Sequence, residues 1–147
     1  MMELEQRNAI VQEALDWIGT RFIHAGRQKG IGCDCAGLVL GVYKNVGLLD
    51  FEYSEYSSYA PAGMMRNMLL RFCDPLQSVL FCLPGDILLF TLYGYEQHIA
   101  IATAPEAQRM CHAFQTPGVV VEHELNNFWL NRITGVFTFV GDRNWQH

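Results

Sequence analysis

Residues 30–47 read GIGCDCAGLVLGVYKNVG, and after the second cysteine the run is apolar nearly all round a helix. A helix that is hydrophobic on every side belongs in the interior of a fold. Asp34 is a good N-cap residue and Gly47 a good terminator, so the pattern predicts a buried central helix between them. Gly37 and Gly41, one turn apart, predict that a neighbouring segment comes close to this helix.

Two further helices are predicted on either side of the central one. Residues 4–18 have the three- and four-residue spacing of an amphipathic helix that Gly19 would end. Its predicted apolar face consists of Val11, Ala14, Leu15 and Ile18. An outer-layer helix is predicted from Met64, Met65, Met68, Leu69 and Phe72. Residues 51–61 indicate a loop, whose tyrosines would either line a substrate groove or cover ordinary surface; they are Tyr53, Tyr56 and Tyr59.

From Pro84 onward the chain consists of short apolar runs separated by turn residues, a pattern typical of strands. The runs are ILLFTL, HIAIAT, RMCHAF, GVVVEHE and TGVFTFV. Helices first and strands afterwards predict an α+β fold, with N-terminal helices packed on a central antiparallel sheet of about five strands. Because no repeat or linker divides the chain, a single domain over residues 1–147 is expected.

Bulk composition narrows the choice of partners. The chain has 147 residues, 50% of them hydrophobic, which suffices for one substantial core. Its net charge of -5 lacks the basic character that binding to phosphate backbones requires, so nucleic acid is not an expected partner. Acidic residues interrupt the N-terminal region where a signal peptide would be apolar, and the apolar runs are too short to cross a bilayer. We therefore expect synthesis in the cytoplasm without a signal peptide, and no membrane insertion.

The five cysteines lack the spacing of a disulfide framework and are expected to be free thiols. Cys73 and Cys82 stand in apolar surroundings and are predicted to be buried and inert. Cys35 differs because it falls on the first turn of the predicted central helix. Backbone N–H groups and the positive helix end would lower the pKa of a thiol there toward neutrality, and could stabilise an oxyanion. Cys35 is therefore the predicted nucleophile.

Two histidines flanking the turn at Pro105 offer a base for this nucleophile. If residues 104–106 form a three-residue hairpin loop, the residue numbers of each directly opposed pair sum to 210, and His98 faces His112 directly. Opposed side chains lie on the same side of a sheet with Cβ atoms about 4.5–5.5 Å apart, so one imidazole could orient the other. The predicted set is a nucleophile, a base and an orienting residue. The remaining histidines lack such support; they are His24, His123 and His147.

Other interpretations of the same residues stay open at this point. Cys35 could be a buried core thiol, and the histidines could be ordinary surface or core residues. A zinc site could be formed by Cys33, Cys35, His98 and His112. Only one residue separates the two cysteines, which is tighter than structural zinc sites favour, so no metal is expected. Cys33 is better interpreted as a neighbour of the nucleophile or a redox-sensitive thiol.

Taken in order, GIGCDCAGLVLGVYKNVG, PGDILLF, HIAIAT, MCHAF and GVVVEHEL resemble the NlpC/P60 cysteine peptidases over almost the whole chain. GCDC, WIGTRFIHAGR and LNNFWLNRITGVFTF resemble the phage-type branch of that family, associated with tail proteins and gene transfer agents. The resemblance implies a papain-like α+β fold and a Cys–His–His triad at Cys35, His98 and His112. It implies no cofactor.

The resemblance also implies an activity, the hydrolysis of peptidoglycan stem peptides, commonly between D-γ-glutamate and diaminopimelate or lysine. In a phage or prophage setting the enzyme would be virion-associated, held by tail proteins, and would open the wall during DNA entry. Two alternatives remain beside this peptidase. One is an amidase or acyltransferase with the same Cys–His dyad, and the other is a catalytically inactive tail-assembly or wall-binding module.

The chain departs from the family pattern beside the expected substrate. Many bacterial relatives have Ser after the nucleophile and Tyr upstream of it, whereas the matching positions here hold Ala36 and Phe22. Each lost hydroxyl removes a hydrogen bond, so recognition of the substrate end is expected to differ around these two residues. Asp34 is retained and is expected to cap the helix, with binding of a substrate amine as the alternative.

Overall fold

The computed structural model of the protein describes residues 2–50 and 62–143. Its helices are α1 (Leu4–Leu15), α2 (Cys35–Asn45), α3 (Met64–Phe72) and α4 (Asn127–Leu130). Its strands are β1 (Arg27–Gln28), β2 (Gly32–Cys33), β3 (Cys73–Pro75), β4 (Ile87–Leu92), β5 (Tyr95–Ala102), β6 (Arg109–Ala113), β7 (Val120–Glu124) and β8 (Ile133–Phe139). The predicted loop at residues 51–61 and its tyrosines Tyr53, Tyr56 and Tyr59 lie outside the described residues, as does His147.

The main sheet has six strands in the order β3-β8-β4-β5-β6-β7, and every neighbouring pair is antiparallel. All five predicted runs form strands of this sheet, which confirms the α+β prediction. The additional strand, β3, is only three residues long and includes the exposed Asp74 and Pro75. It has no apolar alternation to reveal it, and a proline is tolerated there because β3 lies at the sheet edge. The single-domain prediction for residues 1–147 stays a prediction.

The central helix α2 begins and ends where the sequence predicts. Asp34 caps its first turn, and Gly47 follows its end with a positive φ of 83°. Both internal glycines allow close packing: a Cβ on Gly37 would lie 2.0 Å from the carbonyl oxygen of Gly26, and one on Gly41 would lie 2.5 Å from the Trp17 ring. The glycines therefore let α2 lie tightly against the segment between α1 and α2.

The sheet has a hydrophobic core on each face, which explains why β4 is a continuous apolar run. Ile87 and Leu89 join the core that contains α2, whereas Leu88 and Phe90 join a second core on the opposite face. Trp129 of α4 belongs to that second core. Strand β5 lies between the two cores, so its successive side chains enter different surroundings.

The predicted apolar face of α3 is correct except for Met64, which is 39% exposed, and the predicted face of α1 is partly wrong. In α3, Met65, Met68, Leu69 and Phe72 are buried. In α1 the buried residues are Arg7, Ile10 and Ala14, while the predicted Ile18 lies beyond the helix end and is 50% exposed. Trp17 decides this orientation because its large ring packs on Gly41 of α2, and Arg7 is turned inward by an ion pair with Asp86 at 2.9 Å.

Candidate active site

Cys35 is the first residue of α2, directly after the Asp34 cap. The Asp34 carboxylate accepts hydrogen bonds from the Gly37 backbone N–H at 2.7 Å, from Arg27 Nη1 at 2.7 Å and from the Ala25 N–H at 3.0 Å. It is completely buried. This arrangement ties the turn before β1 to the start of the helix and holds Cys35 in place, so the capping role predicted for Asp34 is present in the structure.

Strands β5 and β6 separate and leave an opening in the sheet beside Cys35. Among the described residues, the pairs of these two strands are Ile101↔Cys111 and Ala102↔Met110, although β5 begins as far back as Tyr95. In the unpaired part, the Cys35 Sγ lies 3.9 Å from the carbonyl oxygen of Gln97 and accepts the backbone N–H of Ile99. The sulfur therefore occupies a position between strands that β6 would otherwise fill.

Three histidines form a hydrogen-bonded row on the other side of this opening. His98 Nε2 lies 2.8 Å from His112 Nδ1, and His112 Nε2 lies 2.8 Å from His123 Nε2. The row ends where His123 Nδ1 meets the carbonyl oxygen of Glu124 at 2.7 Å. The predicted pair of His98 and His112 is thus present, and His123 extends it.

The predicted register of the two histidine strands is wrong by two residues. The observed pairs sum to 212 instead of 210, so His98 and His112 are diagonal neighbours and not directly opposed. The reason is a longer loop: Thr103 N bonds to Arg109 O across a turn in which Glu106 and Ala107 have positive φ. A shift of two keeps both rings on the same face, and diagonal neighbours remain within reach of aromatic side chains.

Aromatic rings enclose the two buried histidines. Phe90, Phe114 and Trp129 lie 5.2–5.6 Å from the His98 ring, measured between centroids. Burial and the neighbouring His112 hold the pKa of His98 well below its usual value, and burial beside His123 lowers the pKa of His112 to about 3. Both imidazoles are therefore neutral near neutral pH.

The thiol of Cys35 is also neutral in the free protein. Burial, with the Asp34 carboxylate beside it, raises its pKa to about 12. The backbone N–H groups of Ile99 and Ala36 act in the opposite direction but are outweighed. The predicted fall of this pKa toward neutrality is therefore wrong for the free protein: the helix end offers its N–H groups, but the loss of solvation costs the thiolate more.

A cavity of about 150 Å³ brings the predicted residues together. Cys35 and His98 both line it, although they are only 4% and 3% exposed. Of the residues considered for substrate contact, Phe22 and Asp34 line it too, but Ala36 does not: its side chain is completely buried in the core. Substrate contact by these residues stays a prediction. The other lining residues are His24, Leu92, Tyr93, Tyr95, Gln97, Phe114 and Gln115.

The NlpC/P60 family model matches residues 19–138, which is most of the chain. The chain belongs to the NlpC/P60 family. The match includes α2, all three histidines of the row and the strands of the main sheet, except for the last residue of β8. No curated protein sequence matches the chain.

Solved structures of NlpC/P60 proteins share this fold. A lipoprotein-like member from Staphylococcus aureus is 19% identical with a TM-score of 0.71, over 95% of this chain and 43% of its own. The NlpC/P60 domain of the peptidoglycan hydrolase SagA is 24% identical with a TM-score of 0.63, over 90% of this chain and 98% of its own. The peptidoglycan hydrolase RipB of Mycobacterium tuberculosis is 16% identical with a TM-score of 0.68, over 93% of this chain and 65% of its own. The chain thus spans less than half of the Staphylococcus protein.

The zinc arrangement considered from the sequence does not form within this NlpC/P60 domain. Over residues 2–50 and 62–143, no three His, Cys, Asp or Glu side chains are grouped so that they could hold a metal ion. Both nitrogens of His112 are used within the histidine row, and Cys33 is completely buried. Within the same ranges, no helix has the length and apolar character that crossing a membrane requires.

Two residues at the site of this NlpC/P60 domain, His123 and His24, are not predicted from the sequence. His123 could have been found by extending the strand argument to the turn at residues 117–118. There β6 pairs with β7 so that Met110 opposes His123, which places His123 on the same face as His112. His24 lies in irregular chain before β1, where no periodicity indicates that it lines the cavity.

Proposed function

We propose that this NlpC/P60 domain is a cysteine peptidase of the cell wall, with Cys35 as nucleophile, His98 as general base and His112 as the residue that orients His98. One observation carries the proposal: a nucleophilic sulfur and an imidazole line one cavity, and the imidazole is held from behind by a 2.8 Å bond to His112. A nucleophile, a base and an orienting group in that order form the general arrangement for acyl transfer.

The proton route follows from the ring nitrogens. His98 uses Nε2 toward His112, which leaves Nδ1 for the thiol of Cys35. As Sγ attacks the amide carbonyl carbon, Nδ1 takes the thiol proton, and the carbonyl oxygen becomes an oxyanion that backbone N–H groups at the start of α2 can stabilise. His98 then returns the proton to the leaving amine, and a thioester remains on Cys35. Water activated by His98 hydrolyses the thioester and restores the thiol.

Proton transfer accompanies attack in this mechanism. Because burial disfavours both the thiolate of Cys35 and the imidazolium of His98, a resting ion pair is not the stable form. The charges develop only when the substrate carbonyl receives the sulfur electrons, and the desolvated surroundings of both groups then strengthen the interaction of these charges with nearby dipoles.

The proposed substrate is the peptidoglycan stem peptide. Two similar structures, SagA and RipB, are named as peptidoglycan hydrolases, and they support this substrate class. The bond between D-γ-glutamate and a diamino acid, the partnership with phage tail proteins and the virion-associated location rest on the sequence resemblance alone and stay proposals. The cavity is smaller than usual small-molecule sites, which fits a site that encloses the reacting amide and little more.

The test is digestion of purified muropeptides by the wild type and by Cys35→Ala, with product masses determined by mass spectrometry. Wild-type protein should release fragments with new peptide termini, and Cys35→Ala should release none while unfolding at the same temperature. Cys82→Ala is the matched control, because Cys82 is equally buried but lies in the opposite core. Undiminished cleavage by Cys35→Ala would overturn the mechanism.

The product masses also separate the alternatives. Cleavage between the sugar and the stem peptide would indicate an amidase, and transfer of the acyl group to an added amine would indicate an acyltransferase. Absence of any product from the wild type would favour the inactive tail-assembly module.

A further inference from the structure

The hydrogen bonds that link the three histidines run in one donor-to-acceptor direction, and His123 at the end of the row determines that direction. At its end, His123 Nδ1 lies 2.7 Å from a backbone carbonyl oxygen, that of Glu124. A carbonyl oxygen only accepts, so His123 Nδ1 carries the proton, and in a neutral imidazole Nε2 is then an acceptor. His123 therefore offers His112 a lone pair.

The same reasoning applies next to His112 and then to His98. His112 Nε2 lies 2.8 Å from the His123 acceptor and must donate, which leaves His112 Nδ1 as an acceptor. His98 Nε2, 2.8 Å from that nitrogen, must donate in turn. The one unprotonated nitrogen that accepts no hydrogen bond within the row is His98 Nδ1, which is the nitrogen available to Cys35.

We propose that His123 is a positioning residue that sets the tautomers of His112 and His98, and thereby keeps Nδ1 of His98 ready to accept the proton of Cys35. The inference deepens the proposed function and rests on it. His123 does not contact the cavity; it acts through His112. If the atom of residue 123 that contacts His112 Nε2 donated a hydrogen bond instead, His112 would have to donate from Nδ1 and His98 would have to accept at Nε2. Nδ1 of His98 would then carry a proton and could not act as a base.

A pair of substitutions with opposite hydrogen-bonding character tests this directly. Glu at position 123 can only accept from His112, whereas Lys can only donate to it. His123→Glu should keep a kcat at least about 100-fold above that of His123→Lys, because loss of a general base costs roughly 10²–10⁴-fold. KM should stay within a few-fold in both, since neither residue touches the cavity. A purely structural role for His123 would lower both variants alike and would be seen as matching losses in thermal unfolding.

A spectroscopic measurement decides the proposal without any substrate. In wild-type protein with ¹⁵N-labelled histidine rings, His98 and His112 should be found as the Nε2–H form and His123 as the Nδ1–H form. In His123→Lys, the His98 ring should change to the Nδ1–H form. A proton on Nδ1 of His98 in the wild type, or equal kcat in the Glu and Lys variants, would overturn the proposal. If wild-type protein cleaves no muropeptide, the proposed function fails, while the ring-nitrogen signals still decide the role of His123.

Discussion

His98 Nε2 and His112 Nδ1 are joined over 2.8 Å from diagonal positions on β5 and β6. Because the two strands are paired only at their far end, His98 is left beside an opening, and Cys35 enters that opening from the helix side of the sheet. His98 itself packs against Phe90 and Trp129 of the opposite core. Cys35 and His98 therefore belong to two different cores and meet where the sheet opens.

The buried carboxylate of Asp34 should affect stability and not substrate affinity. Asp34→Asn can keep the bond from Gly37 but loses its charged contact with Arg27, so the free energy of unfolding should fall by about 1–3 kcal/mol. Denaturant unfolding measures this. Asp16→Asn is the control, because Asp16 forms an exposed ion pair and should change stability by less than about 0.5 kcal/mol. A raised KM with unchanged stability in Asp34→Asn would instead assign Asp34 to binding a substrate amine.

The neutral thiol of Cys35 should react slowly with iodoacetamide near neutral pH. Since its pKa is raised to about 12, the thiolate fraction and the alkylation rate should rise about tenfold per pH unit between roughly pH 7 and 9. Mass spectrometry of the modified peptide measures this rate. Cys35→Ala should stay unmodified over the same time, because all five cysteines are buried and the other four do not line the cavity through which the reagent reaches Cys35. A rate that is already maximal near neutral pH would reveal a resting thiolate–imidazolium pair and contradict the neutral state.

Folding stability should fall in mild acid because of His98 and His112. Both have a lowered pKa in the folded protein, to about 3 for His112, so below 6.5 the unfolded chain binds protons that the folded chain does not. The free energy of unfolding should drop by about 1.4 kcal/mol per pH unit for each histidine between 6.5 and about pH 5. Urea unfolding across this range measures the slope. His112→Phe should show about half of it, and an unchanged slope would contradict the assignment.

Gly37 should not tolerate a side chain. An alanine Cβ there would lie 2.0 Å from the carbonyl oxygen of Gly26, so backbone must move, at a cost of about 1–3 kcal/mol or more. Because Gly37 also donates to Asp34, the start of α2 should shift and cleavage should fall with stability. Gly41→Ala is the comparison, since it meets the Trp17 side chain and not backbone. Thermal unfolding should place Gly37→Ala below Gly41→Ala, and the reverse order would contradict the packing argument.

Local pattern was sufficient for most of the fold. The cap at Asp34, the stop at Gly47 and the apolar run between them predict α2 to within a few residues, because capping and burial depend on neighbours in the chain. The five strand runs were likewise recognisable. β3 was not, since a three-residue edge strand is stabilised by its pairing with β8 and not by its own residues.

The features of the site that depend only on strand alternation were predictable from the sequence. The features that depend on loop length or on solvation were not. Parity placed His98 and His112 on one face correctly, and a loop longer than assumed changed their register by two without altering that face. The same parity places His123 on that face, but a histidine near a strand end has no neighbours in the sequence that distinguish it from a surface residue. The exposure of Ile18 and the burial of Arg7 were not predictable, because contacts with residues far along the chain orient α1. Trp17 packs against Gly41, and Arg7 forms an ion pair with Asp86.

The amino-acid sequence thus dictates the elements on which Cys35, His98 and His112 lie, since helix caps, strand alternation and turn residues act over a few positions. Tertiary structure alone decides that β5 and β6 separate, that the Cys35 sulfur fills the opening, and that the thiol and imidazoles are neutral there. The physical reason is that desolvation and strand pairing are properties of the assembled environment, to which residues more than sixty positions apart contribute together.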